Sequence, residues 1–241
     1  GGLAYYVDGR GREVAHENLR CAFGSQMSGA GRWRVALGSY QNFAKTMLSL
    51  FWAERFASED YRRLIEIHGF REAYDRAKAK GRGTVFLGGH FGNWEWGSLA
   101  CGFTGIRSLA IAQEFKNPLL DPIFSERREI SGVRLTGREG AMLKMFGEVK
   151  RGGVVALLVD VTQRPSQATA VIDVFGGLKM CVSMLHGLLV ERTRALVCVC
   201  ETDSRPDGAC SVTMRPVEVP DDADDEALRR LYRSPETFGK C

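Results

Sequence analysis

The residues best suited to chemistry stand in one run, Thr84-Val85-Phe86-Leu87-Gly88-Gly89-His90-Phe91-Gly92-Asn93-Trp94-Glu95. An apolar stretch ends in two glycines, a histidine follows, and a carboxylate stands five positions after it. On one continuous helix, five residues turn through about 500° and hold the two side chains apart. With His90 in a turn and Glu95 in the first turns of a helix, the carboxylate is expected to fold back onto the imidazole. A carboxylate on the ring selects one tautomer and stabilises the imidazolium, as a base that deprotonates a hydroxyl requires. Backbone N–H groups near Gly92 and Asn93, at the helix N-terminus, suit a developing oxyanion. Spacing alone favours a structural histidine; the glycines and the strand-turn-helix context bring the catalytic reading level with it.

The surrounding pattern supplies the elements that must hold this run. Residues 85–87 read as a buried strand punctuated by the glycine pair, and a helix begins at residues 94–100. Upstream, residues 13–23 read as a short helix and 33–56 as a longer one, with Tyr40, Phe43, Ala44, Met47, Leu48 and Phe51 at three- and four-residue steps. That stripe is expected to pack in the core, its aromatic content leaving membrane contact open. A strand at 64–68 and a helix at 71–80 precede the motif. After it come a strand at 108–112 and a helix at 118–130 opened by Pro118 and capped by Asn117. A helix at 138–150 closes at Gly152, and a fully apolar strand follows at 154–159. Further on are a strand at 170–175, a helix through Thr193 capped by Ser183, and strands at 195–201 and 211–217 with a turn at Asp207-Gly208. This alternation predicts an α/β sandwich with a mostly parallel or mixed central sheet flanked by helices. Ligands gather beyond the carboxyl ends of such strands, where His90 and Asp160 fall.

Composition narrows the class. At 241 residues and 44% hydrophobic content, the chain supports one domain, with a helical segment of roughly residues 1–57 packed on the α/β core. A formal charge of +4 makes no case for nucleic acid. Arg62, Arg63, Arg71, Arg76, Lys78, Lys80 and Arg82 gather before the motif, either as a solvated helix face or facing anionic headgroups or an acidic carrier protein. Seven cysteines lack metal-ligand spacing and read as reduced, mostly buried thiols. His16, His68 and His186 have no carboxylate at suggestive spacing and read as structural. Asp160 ends an apolar strand like the metal-binding Asp of nucleotide hydrolases, but the chain has no G-x4-G-K-[ST] loop. No signal peptide is visible, and no run of about 18 apolar residues suggests a spanning helix.

Gly89-His90-Phe91-Gly92-Asn93-Trp94-Glu95 resembles the signature of the bacterial lipid A biosynthesis acyltransferases (lauroyl/myristoyl type) and the related phosphatidylinositol mannoside acyltransferases, within the wider glycerolipid acyltransferase group marked by H-x4-D/E. The likeness continues in order. Residues 13–23 resemble an early "NLRLAF" segment, and Lys116-Asn117-Pro118-Leu119-Leu120-Asp121 a "KNP-L-D" turn with Arg128 on the helix that follows. Residues 150–160 match a "KKGGVVALLxD" strand, and Val174-Phe175-Gly176 an "FFG" loop. Departures occur at Val161, where the family usually has Gln, at Ala112-Gln113-Glu114 in place of Tyr-Arg-Pro, and at residues 179–184, which lack a Thr-rich turn. They bear on substrate identity more than on chemistry.

The resemblance implies transfer of a fatty acyl group from a thioester donor, acyl carrier protein or acyl-CoA, to a hydroxyl of a membrane glycolipid such as a lipid A precursor. His90 would deprotonate that hydroxyl, with Glu95 orienting His90. Arg128 would contact a phosphate or phosphopantetheine group through its guanidinium fork, Asp160 would hold the acceptor or position Arg128, and Asn117, Gly92 and Asn93 would line the site. No metal or redox cofactor is implied, because a thioester is already activated. The expected location is the cytoplasmic face of the bacterial inner membrane, peripheral or anchored through a segment outside this chain. Two other classes fit the same residues: a non-catalytic lipid-binding scaffold and a lipid thioester or ester hydrolase.

Overall fold

A computed structural model describes residues 1–58, 60–113, 115, 117–166, 169–175, 178–217, 224 and 226–227. Glu114, Lys116 and Gly176, which belong to the resemblance above, lie outside the described residues. The N-terminal part is helical: α1 (Gly2–Val7), α2 (Gly9–Phe23) and α3 (Gly29–Ser49). The Asp8 carboxylate caps α2 by accepting from the Gly11 N–H at 2.9 Å, and the Ser28 hydroxyl caps α3 by accepting from Gly31 N–H at 3.1 Å. The single helix expected over 33–56 is interrupted. A 3-10 turn at Leu50–Trp52 leads into α4 (Ala53–Ser58), tucking Leu50 and Ala53 into the core and leaving Phe51 and Trp52 outside. The expected core stripe is also corrected: Phe43, Leu48 and Phe51 are exposed.

The α/β part follows as β1 (Ile65–His68), α5 (Phe70–Ala79), β2 (Thr84–Gly88), α6 (Trp94–Phe103), β3 (Ser108–Ile111), α7 (Asp121–Glu129), β4 (Arg134–Thr136), α8 (Ala141–Lys150), β5 (Val154–Leu158), β6 (Thr169–Val174), β7 (Leu178–Ser183), α9 (Leu185–Thr193), β8 (Leu196–Ser204) and β9 (Cys210–Pro216). Seven strands form one sheet in the order β1-β9-β8-β2-β5-β3-β4; only the β8–β9 pair is antiparallel. The mixed, mostly parallel α/β architecture is therefore as the sequence predicts.

The central strands explain their own apolar runs. Side chains alternate across a strand. Val85, Leu87, Val155, Leu157 and Val197 point to one layer, against Met145, Val149, Leu189 and Val190 of α8 and α9. Phe86, Val154, Cys198, Val212 and Met214 point to the other, against Phe70, Trp96 and Leu99 of α5 and α6. Burial on both faces favours apolar residues, and β2 is buried along its whole length, Thr84 included.

Several elements differ from expectation. The helix at 118–130 begins at Asp121, and the proline in its first turn is Pro122 rather than Pro118. Asn117 caps the preceding turn instead: its Oδ1 accepts from Leu119 N–H at 3.0 Å. The strand expected at 170–175 is one arm of an antiparallel hairpin, β6 with β7, tied by an exposed Lys179–Asp173 ion pair. The short strand β4, helix α1 and strand β7 carry too few residues, or too little alternation, to announce themselves.

Candidate active site

Strand register sets the site. In the parallel β2–β5 ladder, Gly88 pairs with Leu158. His90 and Asp160 each lie two residues beyond that last rung, so the chain delivers them side by side at the carboxyl edge of the sheet. His90 Nδ1 is 2.7 Å from Asp160 Oδ1, and the His90 backbone N–H donates to Asp160 Oδ2, also at 2.7 Å. One carboxylate thus holds both the ring and the main chain of the histidine. With Asp160 ionised, the Nδ1–H tautomer is selected and Nε2 carries the lone pair. The pair is partly open to solvent, with side-chain exposures of 39% for His90 and 28% for Asp160. Burial alone would raise the Asp160 carboxyl, but the hydrogen bonds from the His90 ring and backbone outweigh it and hold the group below its usual 3.8.

The expected Glu95–His90 pairing is corrected by this geometry. Glu95 is buried and faces Arg128 of α7: Arg128 Nε donates to Oε2 at 3.0 Å and Nη2 to Oε1 at 2.7 Å. The fork is bidentate and nearly enclosed, with side-chain exposures of 15% and 7%. The physical reason is helical: Glu95 sits in the first turn of α6, whose buried face turns toward α7 while the turn carrying His90 turns toward β5. Arg128, expected to reach a phosphate or phosphopantetheine group, has this fork occupied by Glu95, and its guanidinium also lies 5.6 Å from the Phe115 ring centroid. Asp160 makes its contact with His90, not with Arg128.

Gly92 and Asn93 do stand at the start of α6, where Asn93 is the cap and its Oδ1 accepts from Trp96 N–H at 3.1 Å. Their polar groups are bound to α3: the Gly92 carbonyl accepts from Asn42 Nδ2 and Thr46 Oγ1, and Asn93 Nδ2 donates to Ser49 Oγ at 2.9 Å. Gly92 has φ +50, and a Cβ there would lie 2.4 Å from the Thr202 carbonyl oxygen of β8. Only glycine fits that turn.

A cavity of about 510 Å³ opens beside this constellation. His90, Glu95 and Arg128 are on its wall; Asp160, Gly92, Asn93 and Asn117 are not. Its other walls are mostly apolar and come from distant elements: Phe43 and Met47 on α3, Phe70 on α5, Phe86 on β2, Cys101 on α6 and Met214 on β9. A volume in the usual range for small-molecule sites, mostly apolar walls and a few polar groups suit an amphiphile with a hydrocarbon tail. Aromatic rings link the mouth to α3: Trp94 lies edge-on to His90 at 5.2 Å, and Phe43 is 6.0 Å from Trp94. Sequence reasoning did not assign Phe43, Trp94, Phe70, Cys101 or Met214 to the site. No local pattern distinguishes a cavity wall from core, so only three-dimensional placement identifies them.

Most of the basic stretch before the motif lies elsewhere; Arg62 and Arg63 stand apart from it, in the 3-10 turn that leads into β1. Arg76 and Lys78 end α5, and Lys80 and Arg82 lead into the amino end of β2, the sheet edge opposite His90. Among the described residues no group of three or more His, Cys, Asp or Glu side chains is placed to hold a metal ion. No helix among them is long and apolar enough to cross a membrane.

Compared with known families, the chain matches the model for "Bacterial lipid A biosynthesis acyltransferase" over residues 1–233. A search of curated proteins gives no match.

Proposed function

Because the chain belongs to the bacterial lipid A biosynthesis acyltransferase family and is an acyltransferase, we propose that it moves a fatty acyl group from a thioester, on acyl carrier protein or CoA, to a hydroxyl of a membrane glycolipid of the lipid A precursor class. The observation that carries the reading is the His90–Asp160 pair, whose histidine lines a mostly apolar cavity. Nε2 of His90 takes the proton of the acceptor hydroxyl as its oxygen attacks the thioester carbonyl. Asp160, bonded to Nδ1, balances the imidazolium that forms. The tetrahedral oxyanion is met by backbone N–H groups at the start of α6, where the helix dipole favours negative charge. On collapse the C–S bond breaks, and the thiolate leaves with the proton returned from Nε2.

Glu95 and Arg128 act as a positioning pair in this reading. Each neutralises the other in the cavity wall, keeping α6 and α7 in register so that the cap of α6 and the turn carrying His90 hold their places. The acyl chain occupies the apolar cavity, and the work is done at the cytoplasmic face of the inner membrane. The test is transfer from a labelled acyl thioester to a lipid A precursor, with wild type against His90→Ala. Labelled glycolipid from wild type alone is the expected result. Free fatty acid formed equally with and without acceptor would identify a hydrolase, and binding without product a scaffold; either overturns the proposal.

A further inference from the structure

Where α3 meets the turn that enters α6, its face is polar. Asn42, Thr46 and Ser49 recur at steps of four and three, on one side of the helix, and Thr46 is buried. Asn42 Nδ2 donates to the Gly92 carbonyl at 3.1 Å, and Thr46 Oγ1 donates to the same oxygen at 3.3 Å. Both lone pairs of that carbonyl are then in use. The Ser49 hydroxyl donates to the Thr46 carbonyl at 2.7 Å, which leaves its oxygen to accept from Asn93 Nδ2 at 2.9 Å. The Ser49 carbonyl accepts from the Trp96 indole N–H at 3.2 Å. One face of α3 thus holds the whole entry to α6.

The Gly92 carbonyl matters because of the peptide it belongs to. The Gly92–Asn93 peptide is trans, so its C=O and N–H point in opposite directions. With the C=O drawn to α3, the Asn93 N–H is turned away from α3, and it has no acceptor among the described residues. A reversed peptide would present its carbonyl oxygen there instead and repel a developing negative charge. Position 92 has φ +50 and admits only glycine, and a glycine does little to resist rotation of the peptide that follows it. The donors on α3 supply that resistance.

We propose that Asn42 and Thr46 are positioning residues for acyl transfer: by fixing the Gly92 carbonyl on α3, they present the Asn93 N–H to the oxyanion of the tetrahedral intermediate. Ser49 holds the same turn from its other end, through the side chain that caps α6. This role rests on the acyltransferase reading and extends it. His90 and Asp160 move and balance the proton, while α3 sets the polarity of the peptide that faces the forming charge.

The experiment compares wild type with Asn42→Leu, Thr46→Val and the double variant, which keep side-chain size and remove the donors. Thr46→Ser keeps the hydroxyl. Val149→Ala opens a void in the layer packed on the other face of the sheet and serves as a control for lost stability. Each is checked for folding by circular dichroism and assayed below its melting transition, with labelled thioester and lipid A precursor. From the worth of one oxyanion donor, kcat should fall about tenfold in each single variant and about 10²-fold in the double. Thr46→Ser and Val149→Ala should stay within about threefold of wild type, although Val149→Ala melts lower. Affinity is then measured for two unreactive pantetheine analogues, one with an anionic tetrahedral phosphonate in place of the thioester carbonyl and one with a methylene there. In the double variant, phosphonate affinity should fall by the same factor as kcat/KM, with methylene affinity unchanged. A merely structural role would move both affinities or neither. If the double variant does not fold, the single variants carry the same comparison. Wild-type kcat without the donors, equal losses in Thr46→Ser and Thr46→Val, or equal weakening of both analogues overturns the proposal. Wild type that transfers nothing defeats the acyltransferase reading and this role with it, whereas an active wild type matched by the donor-free variants defeats this role alone.

Discussion

The carboxylate that serves His90 is Asp160, seventy residues away in the chain and 2.7 Å away in space, and not Glu95 from the same motif. The ladder between β2 and β5 makes the two equivalent: each stands two residues past a paired rung, so their side chains meet at the sheet edge. Replacing Asp160 by Asn keeps the shape and favours the wrong tautomer. We expect kcat for acyl transfer to fall about 10²- to 10⁴-fold with the melting temperature little changed, measured with a labelled thioester. Activity within a factor of a few of wild type would remove Asp160 from the relay.

The same pair links stability to acid. The Asp160 carboxyl is held below 3.8, so the folded state binds its proton less readily than the unfolded chain does. Its stabilising contribution is complete above the unfolded value, and it is lost as pH falls through the lower folded value. Urea midpoints measured at about pH 7 and about pH 3 should show a smaller loss in Asp160→Asn than in wild type. An equal loss in both would mean that Asp160 contributes nothing to acid sensitivity.

Glu95→Ala strands a buried guanidinium. We expect destabilisation of about 3–5 kcal/mol, read as a shifted denaturation midpoint, because an uncompensated buried charge remains. The double variant Glu95→Ala/Arg128→Met should recover most of that loss. It should not recover transfer activity, which would separate the pair's structural cost from its effect on the site. A double variant as unstable as Glu95→Ala alone would argue against the charge as the cause.

Gly92→Ala places a side chain in the left-handed region against the Thr202 carbonyl. The strain should cost about 1–3 kcal/mol, seen as a lowered melting temperature. Because the Gly92 carbonyl also ties the turn to α3, transfer should fall more than it does for an equally destabilising change remote from the site, such as one in α8.

Cys101 lies on the cavity wall, buried deeply enough that its thiol is pushed up to about 12. Cys101→Phe should fill part of the cavity and shift preference toward shorter acyl donors, read by competition between thioesters of different chain length. An unchanged preference would place the acyl chain elsewhere.

Local pattern determined much of this protein. The glycine-flanked histidine, the apolar runs of β2 and β5 and the breaks between them are short-range signals, and they define an α/β chain with chemistry at strand ends. The blocks in family order, from residues 13–23 to Phe175, carried the acyltransferase assignment. Partnership was decided only in three dimensions. Glu95 belongs to the motif and Asp160 stands seventy residues past His90, but strand register brings Asp160 to the imidazole while helix phase carries Glu95 to Arg128. Leu48, Phe51 and their neighbours have the spacing of a core stripe. Whether such a stripe meets protein, a membrane or water depends on which helices pack beside it, and periodicity within one helix carries no information about its neighbours.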